Sequence, residues 1–403
     1  MTRTFPKSNP WRNRLKSIHV ITRRLTATLA AGLLAFGATL PALAQGKPPL
    51  KIGAYLSVTG PAAYLGSGAM KTVEMMVEST NAAGGIDGRR LELFRYDDES
   101  DPAKANTLAK RLIESDGVQV LIGGSTTGTT MSAVPLAERA GVPMLSLAGG
   151  TVIIDPVKKF VFKMNQTDAM AIERLYAHMA KNKFGSIGVI AGTDAFGRAC
   201  LAAAQSLAPK MGVKIVREES FNVKDTDMTA QLTNLRQAPG AQAILNCGFG
   251  EPAVILTKNY KQLGIALPHY GTHALASDVF LKLAGAAAED MTLTNGPILV
   301  WDQLPANDPA QPVVQAYVKA YQAKHGEAPS YFAGNAHDAM LAIRLAVQRA
   351  GDTDPAKLRD AIAQGKFEGV TGPFKVSDTD HVGLTSASLR IVKVRGGRWA
   401  LVE

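Results

Sequence analysis

From residue 50 onward, short apolar runs alternate with longer stretches in which apolar residues recur at helical spacing. Uninterrupted apolar runs are typical of strands that are buried on both faces, and the longer stretches are typical of amphipathic helices. This order favours parallel sheets that are covered by helices on both sides. We predict strands at 51–56, 91–96, 118–123, 144–147, 187–191, 214–218, 243–246 and 291–294.

Several helix starts carry an acidic residue followed by proline, which provide a capping oxygen and a preset φ angle. These pairs are Asp101-Pro102, Asp308-Pro309 and Asp354-Pro355. Beyond residue 297 the pattern predicts helices near 311–324, 335–350 and 355–365. Two final apolar runs, 389–394 and 399–402, flank an Arg-Gly-Gly-Arg turn and predict a hairpin.

The strands form two successive sets, one ending near Lys163 and one running from about Ser186 to Thr294. No low-complexity tract or long linker separates the two sets. We therefore predict an α/β protein with two closely packed lobes, and a ligand cleft between them.

The first 44 residues differ from the rest of the chain. They contain 7 of the 44 Lys and Arg residues and no Asp or Glu, and Ala42-Leu43-Ala44 places small residues where a signal peptidase reads them. This arrangement predicts a secretory signal peptide, residues 1–44, cleaved before Gln45. A membrane anchor is the alternative, but the uncharged stretch 25–40 is shorter than the ~20 residues that span a bilayer.

The net charge of +10 by itself suggests a nucleic-acid or membrane-surface partner. Without residues 1–44, however, 37 basic residues remain against 34 acidic ones. We therefore expect no nucleic-acid partner and a location in the periplasm. A hydrophobic fraction of 46% with 19% charged residues also excludes wholesale disorder and a polytopic membrane protein.

Cys200 and Cys247 are the only cysteines of the chain. An oxidising compartment permits a disulfide, but two thiols 47 positions apart in a large hydrophobic chain are more often separate buried residues. We predict unpaired cysteines, with the disulfide as the alternative. Because the first residue after the predicted cleavage site is Gln45 and not a cysteine, we expect no lipid anchor.

Motifs of enzyme chemistry are absent from the sequence. It contains no Gly-x-Ser-x-Gly nucleophile elbow, Walker phosphate loop, His-Glu-x-x-His helix or Gly-x-Gly-x-x-Gly fingerprint. His269 and His273 are four residues apart, but they belong to a strand-to-loop segment that is unsuited to a metal. The acidic run 97–99 fits a solvated loop that caps the next helix better than a cation site. We predict no enzyme activity, no metal and no cofactor.

A series of short motifs runs through the chain in a fixed order. The first three are Gly-Pro-Ala-Ala-Tyr-Leu-Gly at 60–66, Asn-Ala-Ala-Gly-Gly-Ile-Asp-Gly at 81–88 and Tyr-Asp-Asp-Glu-Ser-Asp-Pro at 96–102. The later ones are Ile122-Gly123 before a Ser/Thr-rich turn, Gly141-Val142-Pro143 before Leu145-Ser146, Phe162-Lys163, and Asp-Ala-Phe-Gly at 194–197. This series resembles the periplasmic leucine/isoleucine/valine-binding proteins, which deliver ligands to ABC importers.

The resemblance implies a type I periplasmic binding protein fold, with two doubly wound parallel-sheet lobes joined by three crossovers. It implies crossovers near Asn165, Pro297 and Val376. The implied lobes are residues 45–165 plus 297–376 and residues 166–296 plus 377–403. The implied partners are a small carboxylate ligand, either an amino acid or an aromatic or aliphatic acid, and an inner-membrane ABC permease.

The Ser/Thr-rich turn 125–130 is a candidate anion site. It follows a predicted strand and opens a helix, and hydroxyls with free backbone N–H groups suit a carboxylate. The same residues also fit a simple helix cap. The resemblance assigns the ligand carboxylate to Thr127 together with Ala148 and Gly150. The neighbouring Thr126 and Gly149 are further predicted ligand-binding residues. The family often has threonine where this chain has Gly150, so a backbone contact must replace that hydroxyl.

Aromatic and apolar residues complete the implied site. The resemblance assigns ligand contacts to Phe196 and Phe249 in the second lobe and to Tyr64, Leu65 and Phe332 in the first. Phe196 and Phe249 each follow a predicted strand among glycines, where a ring is placed to face a cleft, although lone aromatic residues more often pack in a core.

His273 bears on the class of ligand. Amino-acid-binding members of the family have an acidic residue here that pairs with the ligand ammonium, since a buried cation needs a counter-charge. A neutral imidazole accepts one hydrogen bond, whereas a protonated one favours a second carboxylate or a keto group. Glu251 and Asp194 are alternative partners for an ammonium. The ligand is therefore an amino acid or a hydrophobic or aromatic carboxylate.

The predicted function is that of an exported solute-binding protein of an ABC importer. A periplasmic sensor that presents an aromatic or keto-acid carboxylate to a receptor is an alternative with the same fold. A secreted hydrolase is the third, and it requires a nucleophile and a base in the cleft, for which Thr127 and His273 are the only candidates.

Overall fold

The computed structural model describes residues 1–2 and 47–403, and the latter range forms two α/β lobes on two separate sheets. All but the first two residues of the predicted signal peptide lie outside the described residues. Between residues 47 and 403, no helix has the length and apolar character needed to cross a bilayer.

Lobe 1 is built on a parallel sheet whose strands are joined by helices. Its strands are β1 (Leu50–Leu56), β2 (Leu91–Asp97), β3 (Val120–Gly123), β4 (Met144–Ser146) and β5 (Val161–Lys163). They lie in the order β2-β1-β3-β4-β5. The connecting helices are α1 (Ala63–Ala82), α2 (Pro102–Glu114) and α3 (Thr127–Ala140).

Both faces of this sheet are buried, which explains the apolar runs in the sequence. Along β1, Ile52 and Ala54 belong to one core cluster, which includes residues of α1. Tyr55 points to the opposite face and packs with residues of α2 and α3, such as Leu112 and Val134. Alternating side chains of one strand thus enter two different cores.

Lobe 2 contains a seven-stranded mixed sheet. Its strands are β6 (Ser186–Gly192), β7 (Lys214–Phe221), β8 (Ala243–Cys247), β9 (His269–Gly271), β10 (Thr292–Asn295), β13 (Arg390–Arg395) and β14 (Arg398–Leu401). They lie in the order β14-β13-β10-β9-β8-β6-β7, with β13 and β14 antiparallel to their neighbours. Its helices are α4 (Asp168–Lys181), α5 (Ala195–Leu207), α6 (Thr229–Arg236), α7 (Gly250–Gln262) and α8 (Asp278–Ala284).

After β10 the chain returns to lobe 1 and later leaves it again. The returning elements are α9 (Gln311–His325), α10 (Tyr331–Ala350), α11 (Pro355–Ile362), β11 (Lys366–Glu368) and β12 (Pro373–Lys375). Helix α10 begins four residues before the predicted start because Ser330 caps it, accepting a hydrogen bond from the Ala333 N–H at 3.2 Å. Helix α11 ends three residues early because β11 begins at Lys366.

The predicted strands all have counterparts in the structure, but β5, β9, β11 and β12 were not predicted. Each of these four strands is only three residues long. A run of three residues is too short for periodicity to identify. The type I periplasmic binding protein fold that the sequence predicts is confirmed by the two sheets and their helical layers.

Three crossovers join the lobes, between β5 and α4, between β10 and α9, and between β12 and β13. A buried polar cluster links the first of them to the third and to the start of α10. The Gln166 amide nitrogen donates to the Thr371 carbonyl at 2.7 Å and to Ser388 Oγ at 3.2 Å. The Tyr331 hydroxyl donates to the side-chain oxygens of Asn165 and Gln166. Buried polar networks of this kind fix the backbone where they are fully satisfied.

The prediction that the cysteines are separate is wrong. Cys200 and Cys247 form a disulfide, with their Cα atoms 5.7 Å apart and both side chains fully buried. Helix α5 follows β6 and packs over the sheet, while β8 pairs directly with β6. The separation of the two cysteines in the sequence therefore does not indicate their distance in space, because the fold packs the helix α5, with Cys200, against the end of β8, with Cys247.

Candidate functional site

A small cavity of about 30 Å³ lies between the lobes, at the carboxyl ends of strands from both sheets. Loops at this end of parallel sheets are the usual place for ligands. Lobe 1 contributes Leu65, Ser125, Thr126, Thr127, Leu147, Gly149, Asn165 and Phe332. Lobe 2 contributes Phe196, Phe249, His273 and Ala274.

The start of α3 forms the polar part of the wall. Thr126 caps this helix: its hydroxyl accepts the Thr129 N–H at 3.1 Å, and the Thr126 N–H donates to Thr129 Oγ1. The backbone N–H groups of Thr127 and Gly128 then have no acceptor within the helix and carry the positive end of its dipole. Thr126 is thus a helix cap and also lines the cavity, so the two interpretations of this turn are compatible.

The loop after β4 packs against the start of α3. Thr127 Oγ1 accepts the Gly150 N–H at 3.2 Å. A Cβ atom at residue 150 would lie 2.6 Å from Thr127 Cγ2, so Thr127 fills the space that a larger residue at 150 would need. Ala148 and Gly150 are buried behind the wall and do not line the cavity.

Gly149 of lobe 1 lies close to two side chains of lobe 2. A Cβ atom there would lie 2.7 Å from His273 Nε2 and 3.1 Å from Phe196 Cε2, both in lobe 2. Only a residue without a side chain permits this approach. The lobes are therefore in contact across the cavity.

The wall from lobe 2 is aromatic. Phe196 lies in the first turn of α5, where the Asp194 carboxylate accepts the Phe196 and Gly197 N–H groups. Its ring meets Phe249 edge to face at 5.9 Å and His273 at 6.2 Å between ring centroids. Such edge-to-face pairs hold aromatic rings in fixed orientations. Phe249 is half-buried and precedes α7.

His273 is 1% exposed, and neither of its ring nitrogens has a hydrogen-bond partner in the described part of the chain. Burial, together with the positive charge of Lys163, lowers the pKa of His273 to about 3. The ring is therefore neutral near pH 7. It presents one N–H donor and one nitrogen acceptor in the cleft.

Tyr64 lies beside the cavity and not on its wall. Its hydroxyl donates to the Ala274 carbonyl at 3.1 Å and accepts the Gly250 N–H at 3.2 Å, so it connects lobe 1 with two backbone groups of lobe 2. Its ring packs edge to face on Phe332, with 5.6 Å between centroids. Burial raises the pKa of the Tyr64 hydroxyl, which keeps it protonated and able to donate.

Four cavity residues were missed: Ser125, Leu147, Asn165 and Ala274. Ser125 belongs to the predicted hydroxyl turn and accepts the Ser57 N–H at 3.0 Å. Asn165 coincides with a predicted crossover, and its amide donates to the Leu147 carbonyl at 3.0 Å. The crossover was thus the available signal for Asn165, whereas nothing in the sequence marked Leu147 or Ala274.

The acidic alternatives for binding an ammonium lie elsewhere. The Asp194 carboxylate is engaged in capping α5. Glu251 lines a separate, larger apolar pocket of about 470 Å³ that borders Pro61, Tyr64 and Val254. Among residues 47–403, no Asp or Glu lines the cavity between the lobes.

The candidate nucleophile and base, Thr127 and His273, are not joined by a hydrogen bond, and the two histidines His269 and His273 are not grouped around one site. Thr127 Oγ1 is bound to Gly150, and no hydrogen bond joins it to His273. His269 stacks on Tyr260 at 4.4 Å in lobe 2 and does not line the cavity. From residue 47 to 403, no three His, Cys, Asp or Glu side chains are grouped to bind a metal ion. The acidic loop instead binds backbone N–H groups through Asp97.

Comparisons with known proteins agree with this architecture. Residues 49–398 match the family model described as periplasmic binding protein. The leucine-, isoleucine-, valine-, threonine-, and alanine-binding protein of Pseudomonas aeruginosa is 28% identical over 355 residues, which cover 87% of this chain and 91% of that protein.

Solved structures show the same fold. An extracellular ligand-binding receptor from Rhodopseudomonas palustris HaA2 is 28% identical, with a TM-score of 0.81 over 88% of this chain and 99% of that one. The branched-chain amino acid transporter substrate binding protein of Streptococcus pneumoniae, in complex with isoleucine, is 25% identical, with a TM-score of 0.76 over 88% and 99% of the two chains. The chain therefore belongs to the periplasmic binding protein family and is a relative of its leucine/isoleucine/valine-binding members.

Proposed function

We propose that this chain is an exported, periplasmic solute-binding protein of an ABC importer. Its ligand is a branched-chain or other hydrophobic amino acid, or a related small carboxylate, held between residues 45–165 plus 297–376 and residues 166–296 plus 377–403. The observation that carries the proposal is the cavity, in which the start of α3 faces an aromatic wall across the two lobes. The protein delivers the ligand to an inner-membrane permease and carries out no chemical step.

The polar half of the cavity fits a carboxylate. The N-terminus of a helix attracts negative charge through its free N–H groups and dipole, and Thr127 adds a hydroxyl at the same place. The rings of Phe196 and Phe249 offer an apolar surface opposite. A ligand with one charged end and one apolar end is complementary to both halves.

Binding and lobe closure are linked in this proposal. A ligand that touches both walls only when they are close together shifts the equilibrium toward the closed form, in proportion to its preference for that form. The permease then recognises the closed pair of lobes. Two relatives support the ligand class, since the Pseudomonas aeruginosa protein binds leucine, isoleucine, valine, threonine and alanine, and the Streptococcus pneumoniae protein holds isoleucine.

Substitution of Phe249 tests the site. We expect Phe249→Ala to weaken binding of the best ligand at least tenfold by isothermal titration calorimetry, with little change in the melting temperature of the free protein. Phe184→Ala is the matched control, because Phe184 is also partly buried against the same core of lobe 2 but lies outside the cavity. Unchanged affinity of Phe249→Ala, with a large loss of stability, would show that this ring is part of the core.

A further inference from the structure

We propose that the ligand is a small carboxylate that lacks an ammonium group and carries an uncharged oxygen, keto or hydroxyl, bound by His273. This inference rests on the proposed function, since it concerns the same cavity. The inference predicts that the protein distinguishes an amino acid from the oxo acid and the hydroxy acid that have the same carbon skeleton.

No negatively charged group lines the cavity. Among residues 47–403, the wall contains no carboxylate: Asp194 caps α5, and Glu251 lines a separate pocket. Asp168 is buried nearby in the first turn of α4 but does not line the cavity. Its Oδ1 accepts hydrogen bonds from Thr151 and from the Ala169 N–H at 2.8 Å, and its Oδ2 has no hydrogen-bond partner among the described residues. The charged group that acts on Asp168 is Lys163. An ammonium transferred from water into this cavity would be desolvated without a counter-charge, which is strongly unfavourable.

A buried lysine with a nearby aspartate, Lys163 and Asp168, lies behind the cavity wall. Lys163 is fully buried at the end of β5, and its Nζ donates to the carbonyls of Asn165 at 2.8 Å and Gln166 at 2.7 Å. Asn165 itself lines the cavity. Burial lowers the pKa of Lys163 to about 7, and the charge of Asp168 opposes this shift. In its protonated form Lys163 disfavours a proton on His273, and it disfavours an ammonium in the same place for the same reason.

His273 supplies the position for an uncharged oxygen. Both ring nitrogens are buried and unpartnered among the described residues, a costly arrangement that a ligand atom can relieve. A ligand hydroxyl can donate to one nitrogen or accept from the other, whereas a keto oxygen accepts from the N–H. The ring is held between Phe196 and Tyr331, with centroids at 6.2 and 6.4 Å, so its direction is fixed.

Two matched series of acids test the inference on the unmodified protein. The first series is leucine, 4-methyl-2-oxopentanoate, 2-hydroxy-4-methylpentanoate and 4-methylpentanoate. The second is phenylalanine, phenylpyruvate, phenyllactate and 3-phenylpropionate. We expect the dissociation constant, measured by calorimetry at pH 7, to be at least tenfold lower for an oxo or hydroxy acid than for the amino acid of the same skeleton. Equal or tighter binding of the amino acid would overturn the inference and leave the proposed function intact.

Substitution of His273 tests its role. His273→Phe keeps a ring but removes both nitrogens, and we expect the preference for the oxygen-bearing acid over the unsubstituted one to fall roughly fivefold. His269→Phe is the matched control, since His269 is also a buried histidine of lobe 2 but lies outside the cavity, and it should leave the preference unchanged. If His273→Phe does not fold, His273→Gln retains a donor and an acceptor and should retain part of the preference.

The outcomes are distinguishable. A preference that is identical in His273→Phe and in the unmodified protein would show that His273 does not contact the ligand, and would overturn the inference. If none of the eight acids binds, the proposed function fails and the inference fails with it. Binding of amino acids alone contradicts only the inference.

Discussion

At the residue scale, Tyr64 shows the limit of what a motif can predict. The resemblance assigns it a ligand contact, but in the structure its hydroxyl bonds the Ala274 carbonyl and the Gly250 N–H of lobe 2. The motif thus identifies the right neighbourhood, beside Leu65 in the cavity wall. It cannot state what the side chain contacts, because those contacts come from a lobe that is 186 or more residues away in the chain.

His273 and Gly149 give a second example at this scale. Their types are readable in the sequence, yet the proximity of His273 Nε2 to the space above Gly149 exists only when the lobes meet. A one-dimensional pattern contains no information on that distance. The residue types that form the site were therefore predictable from the sequence, whereas the distances between them were not.

The first prediction concerns Gly149. A methyl group there would meet His273 and Phe196, both of lobe 2, at 2.7 and 3.1 Å. Its backbone is outside the left-handed region, so alanine adds no backbone strain. We expect Gly149→Ala to hinder closure and to weaken ligand binding at least tenfold in calorimetry, while the free energy of unfolding without ligand changes by less than about 0.5 kcal/mol.

The control for Gly149→Ala is Gly185→Ala. The nearest atom to an added Cβ at residue 185 is the Gly212 carbonyl oxygen at 3.8 Å, an ordinary contact within lobe 2. This variant should bind normally. Normal binding by Gly149→Ala as well would mean that the ligand-bound lobes do not approach each other as closely as the structure shows.

At the element scale, the sequence predicted where strands occur better than it predicted where they end or which strands pair. Largely buried strands such as β1 and β8 stand out because every residue other than Lys51 and Asn246 is apolar or small. Short β5 and β9 carry too few residues for a pattern, and they form because neighbours in the sheet offer hydrogen bonds. The disulfide was missed for a related reason: it joins a helix and a strand whose packing only the fold determines.

The second prediction concerns this disulfide. Cys200 lies one turn after Phe196, and Cys247 lies two residues before Phe249, so the bond ties together the two segments that bear the aromatic wall. For a loop of this length, the chain-entropy model gives a stabilisation of roughly 4 kcal/mol. We expect the double variant Cys200→Ala/Cys247→Ala to lose stability of this order in urea unfolding and to bind ligand several-fold more weakly.

The same variant provides its own redox control. Dithiothreitol should lower the urea midpoint of the unmodified protein and leave that of the double variant unchanged. If ligand affinity is identical in the two proteins while stability falls, the disulfide supports the core of lobe 2 without fixing the aromatic wall.

At the scale of the whole molecule, the sequence predicted two lobes and three crossovers but not what holds the crossovers together. The cluster around Gln166 and Tyr331 draws on segments more than 160 residues apart. Its members are ordinary polar residues without a motif. They are recognisable only after the fold has brought them into a buried place, where unpaired polar groups are costly.

The last prediction concerns the stability of the whole molecule in acid. Burial lowers the pKa of both His269 and His273 to about 3, from an ordinary value of 6.5. Well above pH 6.5 both rings are neutral in the folded and the unfolded chain, so neither ring contributes a pH dependence to the free energy of unfolding. Between pH 6.5 and 3 the unfolded chain takes up protons that the folded chain excludes, and the free energy of unfolding falls as the pH falls.

Each histidine contributes a slope of up to about 1.4 kcal/mol per pH unit in this window. His269→Phe removes one of the two, and the stacked position on Tyr260 accepts another ring. We therefore compare the free energy of unfolding in urea of the unmodified protein and of His269→Phe at pH 7, 6, 5 and 4. The difference between the two proteins should be constant near pH 7. Below pH 6 the free energy of unfolding should fall less steeply for His269→Phe. The difference between the two curves isolates this histidine from the carboxylates, which titrate in both proteins. Parallel curves across the whole range would mean that His269 takes up a proton in the folded chain as readily as in the unfolded chain.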